Sequence, residues 1–504
     1  MTFAQPRGRL YWAPRAAMTG HLIGIAISGC AVGLAFSTMV GAVTDQRALF
    51  PLGISTLLSG LAGVILVRHY PLPRRLSISG PLTAVGFSWI VMILLSTTVY
   101  LTTGATDSPL HAGVESTAGF ATMARTVFAT PEDLPRGLLF WRATTQLIGG
   151  FGALFTVVVI LPFLGIGGAA APSTEKTRAD ELVAGHTVRL VGRMAAVYGG
   201  FATVGTSLFW IGGMGLFDAV TYSFTTVSTG GFANHADSFA HFDSAHLEWF
   251  AAGGMLLAGT SVVFLWRGGW AAGAASLRSF ELWAYLAILS AATVVLTIAD
   301  PLDEGTTLNS LRHGLFASTS TLSTTGHHAT DWNTWGQGPA TLLMMLITVG
   351  AMAGSPGGGL RVVRALALVG YFRRELVRQV HRRAVIMVKI GREAIPERVL
   401  DRMITHLLLL LFVGAAGAVL LALDGADVLT ATTQAVSALA TVGPGLGDAG
   451  PTTTLLERGP VGMIAIAGLG LLGRLEFYPI GVALWTVATN LRRRLRDSFR
   501  EELV

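Results

Sequence analysis

Charge is scarce in this sequence. Only 13% of its 504 residues are Asp, Glu, Lys or Arg, and 52% are hydrophobic. An ordinary soluble domain carries about a quarter charged residues. Too little polar surface remains to cover a water-soluble globule, so lipid is the implied solvent. A mean hydropathy of +0.59 agrees. Cysteine is nearly absent: Cys30 stands alone inside an apolar stretch, which excludes a disulfide framework and a thiolate metal site. Clustered intramembrane carboxylates and a metal triad are also missing, and with them the equipment of a membrane enzyme. The net charge is +6. The basic residues lie in short loops between apolar runs, where they read as topology signals and lipid-headgroup contacts rather than as a nucleic-acid surface. Arg7, Arg9 and Arg15 precede a full span, not a short signal-peptide core.

Crossing a hydrocarbon core takes about 20 apolar residues. Ten stretches qualify: 19–42, 48–68, 82–102, 138–164, 187–213, 246–267, 279–299, 338–372, 402–423 and 457–490. Arginine and lysine cluster after every even-numbered stretch, most densely from Arg373 to Arg392 and from Arg492 to Arg496. The positive-inside bias then places both termini in the cytoplasm.

Four of the opposite loops hold about 15 small, hydroxylated or apolar residues, the length of a re-entrant segment. Non-helical backbone at membrane depth survives only where it is buried or lines water. With Ala124, Gly230, Gly326 and Gly443 set in register, a hydroxyl residue stands two positions earlier in each: Thr122, Ser228, Thr324 and Thr441. Four positions earlier, Phe120, Leu322 and Leu439 are apolar and Thr226 is the exception. The expected fold is an all-α membrane protein, a fourfold pseudo-repeat of helix–pore loop–helix around a central ion pathway with two extra N-terminal helices. The divisions fall at 1–76, the two-helix extension; 77–172, 173–268 and 269–395, three repeats; and 396–504, the fourth repeat with a basic tail.

Specific motifs resemble those of the TrkH/KtrB-type potassium transporters. Thr225-Thr226-Val227-Ser228-Thr229-Gly230-Gly231-Phe232 is similar to that family's second filter segment. Leu322-Ser323-Thr324-Thr325-Gly326 is similar to the third, and Gly443-Pro444-Gly445-Leu446-Gly447 to the fourth. Leu134-Pro135, Trp141-Arg142 and Ala353-Gly354-Ser355-Pro356-Gly357-Gly358-Gly359 add to the set. There are departures. Spacing puts Thr122-Met123-Ala124-Arg125-Thr126 at the first filter, where the family has a glycine; Thr102 to Thr106 and Thr117 to Phe120 offer alternative registers. Pro356 stands where a threonine is usual.

The resemblance implies K⁺ uptake. A dehydrated cation needs its lost water replaced by backbone carbonyls. The filter oxygens would come from Thr122, Met123, Ala124, Ser228, Thr229, Gly230, Thr324, Thr325, Gly326, Thr441, Val442 and Gly443, with Arg125 modulating them. Gly354, Ser355, Gly357, Gly358 and Gly359 would form an intramembrane gate, although a simple packing break is the alternative, and Arg474 an electrostatic barrier. K⁺ is the transported ion and no organic cofactor is expected in the chain. The implied partners are a second copy, membrane lipid and a cytosolic RCK-type, TrkA-like nucleotide-binding subunit; the implied location is the bacterial inner membrane. A weakly selective Na⁺/K⁺ path, or a non-conducting regulatory paralogue, are the competing expectations. His327-His328-Ala329-Thr330-Asp331 is expected in an outer-vestibule loop rather than a catalytic site.

Overall fold

The computed structural model describes residues 13–71, 80–160, 183–262, 279–299, 307–381, 384–391 and 393–501. Two compact units emerge, one of residues 1–113 with 475–504 and one of residues 114–474.

The first unit holds α1 (Ala13–Thr44), α2 (Leu49–His69) and α3 (Gly80–Thr102). Polar residues inside these apolar helices are neutralised locally: the hydroxyls of Ser28, Ser37, Thr38 and Ser88 each donate to the carbonyl four residues earlier. Small residues let α1 and α2 pack closely. A Cβ on Gly63 would fall 2.4 Å from the Ser28 hydroxyl, the contact typical of helix pairs in lipid.

α4 (Pro109–Phe120) leads into the second unit. That unit continues with α5 (Arg136–Phe155), α6 (Val183–Ile211), α7 (Leu216–Val227) and α8 (Ala245–Ala258). Next come α9 (Phe280–Ile298), α10 (Thr307–Leu322), α11 (Gln337–Val349) and α12 (Val362–Val380). A small antiparallel hairpin, β1 (Lys389–Ile390) with β2 (Glu393–Ala394), pairs Lys389 with Ala394. The unit closes with α13 (Glu397–Leu423), α14 (Val428–Leu439) and α15 (Pro460–Arg474); α16 (Tyr478–Glu501) returns to the first unit.

Among the described residues, six helices are long and apolar enough to cross a membrane: Ala17–Thr44, Gln46–His69, Gly80–Thr102, Arg189–Ile211, Phe280–Ile298 and Glu397–Leu423. The other four expected spans are shorter or interrupted. Stretch 138–164 is helical through Ile160, with a π turn from Thr156, and its end lies outside the described residues. In stretch 246–267, α8 ends at Ala258, and residues 263–267 lie outside the described residues. Stretch 338–372 is two helices, because Gly350, Gly354 and Gly359 take positive φ between them. Stretch 457–490 likewise ends one helix at Arg474 and starts another at Tyr478; Glu476 and Phe477 adopt φ 51° and 65° in the break.

Large apolar side chains such as Leu408, Leu411 and Phe412 of α13 lie on the outside, while serines and threonines such as Ser318, Thr319, Ser320 and Thr321 of α10 are buried. This inversion suits a chain whose surroundings are hydrocarbon and whose polar side chains turn inward. Aromatic packing of Phe209, Tyr222, Phe239 and Phe316 seats α7 and α10.

Candidate functional site

Four short helices end alike. α4, α7, α10 and α14 stop at residues 120, 227, 322 and 439, and two positions later a threonine turns left-handed: Thr122 at φ 52°, Thr229 at 53°, Thr324 at 62° and Thr441 at 58°. A β-branched residue at positive φ is a genuine outlier, and such strain concentrates at functional sites. The same two hydrogen bonds close each turn. The threonine N–H donates to Gly119, Thr226, Thr321 or Ala438, and the next N–H to Ala118, Thr225, Ser320 or Ser437. The hydroxyls of Thr122 and Thr441 are buried without a hydrogen-bond partner.

These turns correct the register of the second segment. Its left-handed residue is Thr229, not Ser228, so Thr229-Gly230-Gly231 matches Thr122-Met123-Ala124, Thr324-Thr325-Gly326 and Thr441-Val442-Gly443. The shift removes the apolar exception as well: Val227 now aligns with Phe120, Leu322 and Leu439. Gly231 belongs to the set and Ser228 lies one step before it. The two upstream alternatives are not supported. Thr117 to Phe120 lies within α4, and Thr102 to Thr106 precedes it.

The four segments converge at Ala124. Gly231, Gly326 and Gly443 take φ 72°, 83° and 112°, whereas Ala124 has no positive φ. A methyl on Gly231 or on Gly326 would fall 2.6 Å from that of Ala124; on Gly443 it would fall 2.8 Å from the Ala124 backbone. The Ala124 N–H donates to the Val442 carbonyl at 2.8 Å, which ties the first segment to the fourth. The space left by three glycines is therefore shared with one methyl group.

Supporting residues not singled out by the sequence hold these loops. Gln146 of α5 donates through Nε2 to the carbonyls of Gly230 at 2.9 Å and Met123 at 3.3 Å, and its Oε1 accepts from Phe232 N–H. Gln434 of α14 donates to the Gly443 carbonyl at 2.8 Å. Glu115 of α4 is fully buried; it pairs with Arg142 Nε at 2.9 Å and accepts from the Thr126 hydroxyl and the Val127 N–H. Arg142 also donates to the Ala233 carbonyl and stacks over Phe232, joining the exits of segments one and two. A buried amide or carboxylate in an otherwise apolar run was the available signal for all three. Asp427 caps α14 by accepting from Thr430 N–H, and hydrogen bonding by the Thr430 side chain, ahead of that N–H, holds its carboxyl below the usual range.

Arg125 is buried; a Cβ on Gly443 would fall 2.9 Å from its Cγ, and its Nε and Nη2 have no hydrogen-bond partner. Its Nη1 donates to the carbonyls of Gly450 at 2.9 Å and Thr453 at 2.7 Å, in the loop beyond the fourth segment. His327 lies in the wall between segments two and three, its Nε2 3.3 Å from the hydroxyls of Thr225 and Thr226.

The glycine-rich loop, residues 350–361, folds against segments three and four. Gly358 N–H donates to the Thr324 hydroxyl at 2.8 Å, and a Cβ on Gly358 would fall 2.3 Å from the Ala440 carbonyl. A Cβ on Gly357 would fall 2.8 Å from the Ser323 carbonyl, and one on Gly359 2.7 Å from Gly350 Cα. Gly354 accepts from Val262 N–H, and Ser355 Oγ donates within the loop to Met352. Glu281 of α9 accepts from Ala353 N–H at 2.8 Å. Buried Arg474, the last residue of α15, donates from Nη1 to the Pro356 carbonyl at 2.5 Å, while its Nε and Nη2 have no hydrogen-bond partner.

A family model described as TrkH, cation transport protein, matches residues 65–269 and 270–488. The chain belongs to the TrkH family of cation transport proteins. The Trk system potassium uptake protein TrkH of Halomonas elongata is 30% identical over 416 residues, 79% of this chain and 83% of that protein. TrkI of the same organism, also a Trk system potassium uptake protein, is 29% identical over 84% of this chain and 91% of its own length. The crystal structure of the potassium transporter TrkH from Vibrio parahaemolyticus superposes with a TM-score of 0.83 at 24% identity, covering 93% of this chain and 98% of that one. That likeness carries the fold of an integral membrane transporter of the TrkH type.

Proposed function

We propose that this chain conducts K⁺ across the bacterial inner membrane through a filter of four threonine turns, gated below by the loop 350–361 and Arg474. The observation that carries the reading is the recurrence of one strained turn at Thr122, Thr229, Thr324 and Thr441, with converging backbones. Carbonyls and threonine hydroxyls presented together replace the hydration shell of a monovalent cation. Each preceding helix aims its C-terminal, partially negative end at the same place, which favours a cation further. The potassium uptake names of the relatives support K⁺. The repeated order of long helix, short helix, turn and helix supports the fourfold division, preceded by two extra helices.

A weakly selective Na⁺/K⁺ path is the second reading, favoured by the relaxed backbone of Ala124 and by its methyl among the glycines. Homodimerisation, cytoplasmic termini and an RCK-type cytosolic partner extend the same proposal. The basic stretch Arg373–Arg392 would serve the partner, although Arg382, Arg383 and Arg392 lie outside the described residues. Rb⁺ uptake into liposomes containing only this chain tests the function: uptake that excess K⁺ suppresses is expected. Folded protein that passes no Rb⁺, K⁺ or Na⁺, even with a cytosolic partner, would point to a regulatory paralogue instead.

A further inference from the structure

A cavity of about 400 Å³ lies between α6, α7 and α8. Tyr198, Phe209 and Thr226 in its wall are buried, whereas Val204, Leu208 and Leu257 are exposed, so the cavity deepens inward from the outer face of the helices. α6 contains a span long and apolar enough to cross the bilayer, so that outer face meets acyl chains. Pro356 of the glycine-rich loop completes the wall.

The hydroxyls that reach this cavity are already engaged. Tyr198 donates to the Leu147 carbonyl, Ser223 to the Ala202 carbonyl at 2.7 Å, and Thr226 pairs with His327. A trapped water needs two to four polar partners, and an apolar cavity without them stays dry and takes hydrocarbon. A volume of this size falls within the range of small-ligand pockets. Pro356 is also the residue whose carbonyl holds Arg474. The proline ring presents an apolar surface to the cavity while its carbonyl accepts from Arg474.

We propose that an acyl chain of a bilayer phospholipid occupies this cavity and, by packing against Pro356, sets how firmly the loop holds Arg474. The regulatory half rests on the gate reading above; the binding half does not.

The test uses the full chain in liposomes whose phospholipid carries a photoactivatable diazirine on one acyl chain. Wild type is compared with Gly253→Phe and Val204→Trp. Gly253 lines the cavity, and a Cβ built on it meets nothing within 4 Å, so the new side chain enters open space. Labelling should concentrate on Leu208, Trp249 and Leu257 over the lipid-facing Leu408 and Phe412. It should fall by about fivefold in both variants, a loss equivalent to about 1 kcal/mol of binding, and Rb⁺ flux should change with it. Even labelling of every lipid-facing helix, or labelling that neither variant reduces, overturns the site. Cross-linking to a second copy at these residues overturns the lipid as occupant. Labelling lost with flux unchanged overturns the regulatory half. Cavity labelling in a chain that passes no cation supports the lipid site and rejects the transport reading.

Discussion

Alanine at position 124 keeps an ordinary backbone where its three counterparts are left-handed glycines. A left-handed alanine would cost about 1–2 kcal/mol, and the segment avoids the cost by giving its N–H to the Val442 carbonyl. Ala124→Gly should restore the shared turn and release that carbonyl, so the K⁺/Na⁺ permeability ratio should rise; equal ratios, both strongly favouring K⁺, would remove Ala124 from selectivity. Arg125 is tied to Gly450 and Thr453, so its charge is anchored to one side. Arg125→Ala should raise flux by about threefold at most, equivalent to about 0.7 kcal/mol. It should also lower the melting temperature, because charge-assisted hydrogen bonds of about 1.5–3 kcal/mol each are lost. A large rise in flux with unchanged stability would mean that the guanidinium faces the path. The four threonines were nearly legible in the sequence. The second segment misled by one position because Ser228-Thr229-Gly230-Gly231 offers two hydroxyls and two glycines, and only the sign of φ chooses between them. The direction of Arg125 was not legible, since its acceptors lie more than 300 residues away in the chain.

Elements were legible by length, and their interruptions only in part. The glycines of loop 350–361 announced a break, but its contacts with Thr324, Ala440 and Glu281 join segments far apart in sequence. The end of α15 at Arg474 was missed because the apolar run continues past it, and only Glu476 and Phe477 at positive φ mark the turn. Arg474 holds the loop by its Pro356 bond. A charge about 6 Å from the path, at an effective dielectric of about 20, opposes K⁺ by roughly 3 kcal/mol. Arg474→Ala should therefore speed Rb⁺ flux; unchanged or slower flux in a folded variant would place the arginine outside the path. The Glu115–Arg142 pair fastens α4 to α5 and to the exits of two segments. Glu115→Ala leaves a buried arginine unpaired and should cost about 3–5 kcal/mol, read as a lower melting temperature. A variant as stable as wild type would show that solvent reaches Arg142.

At the scale of the whole molecule, the deficit of charge and the long apolar runs sufficed to identify an all-α membrane protein; the fourfold plan belongs to the proposed function. Composition says nothing of how four loops, each short and unremarkable alone, come within a methyl group of one another. That meeting at Ala124, Gly231, Gly326 and Gly443 is the centre of the account. The most direct measurement is the position of Tl⁺, a heavy stand-in for K⁺, by anomalous scattering from crystals of the full chain. A peak bounded by the turns at Thr122, Thr229, Thr324 and Thr441 is expected. Tl⁺ bound elsewhere in the chain, with that position empty at saturating ion, would contradict it.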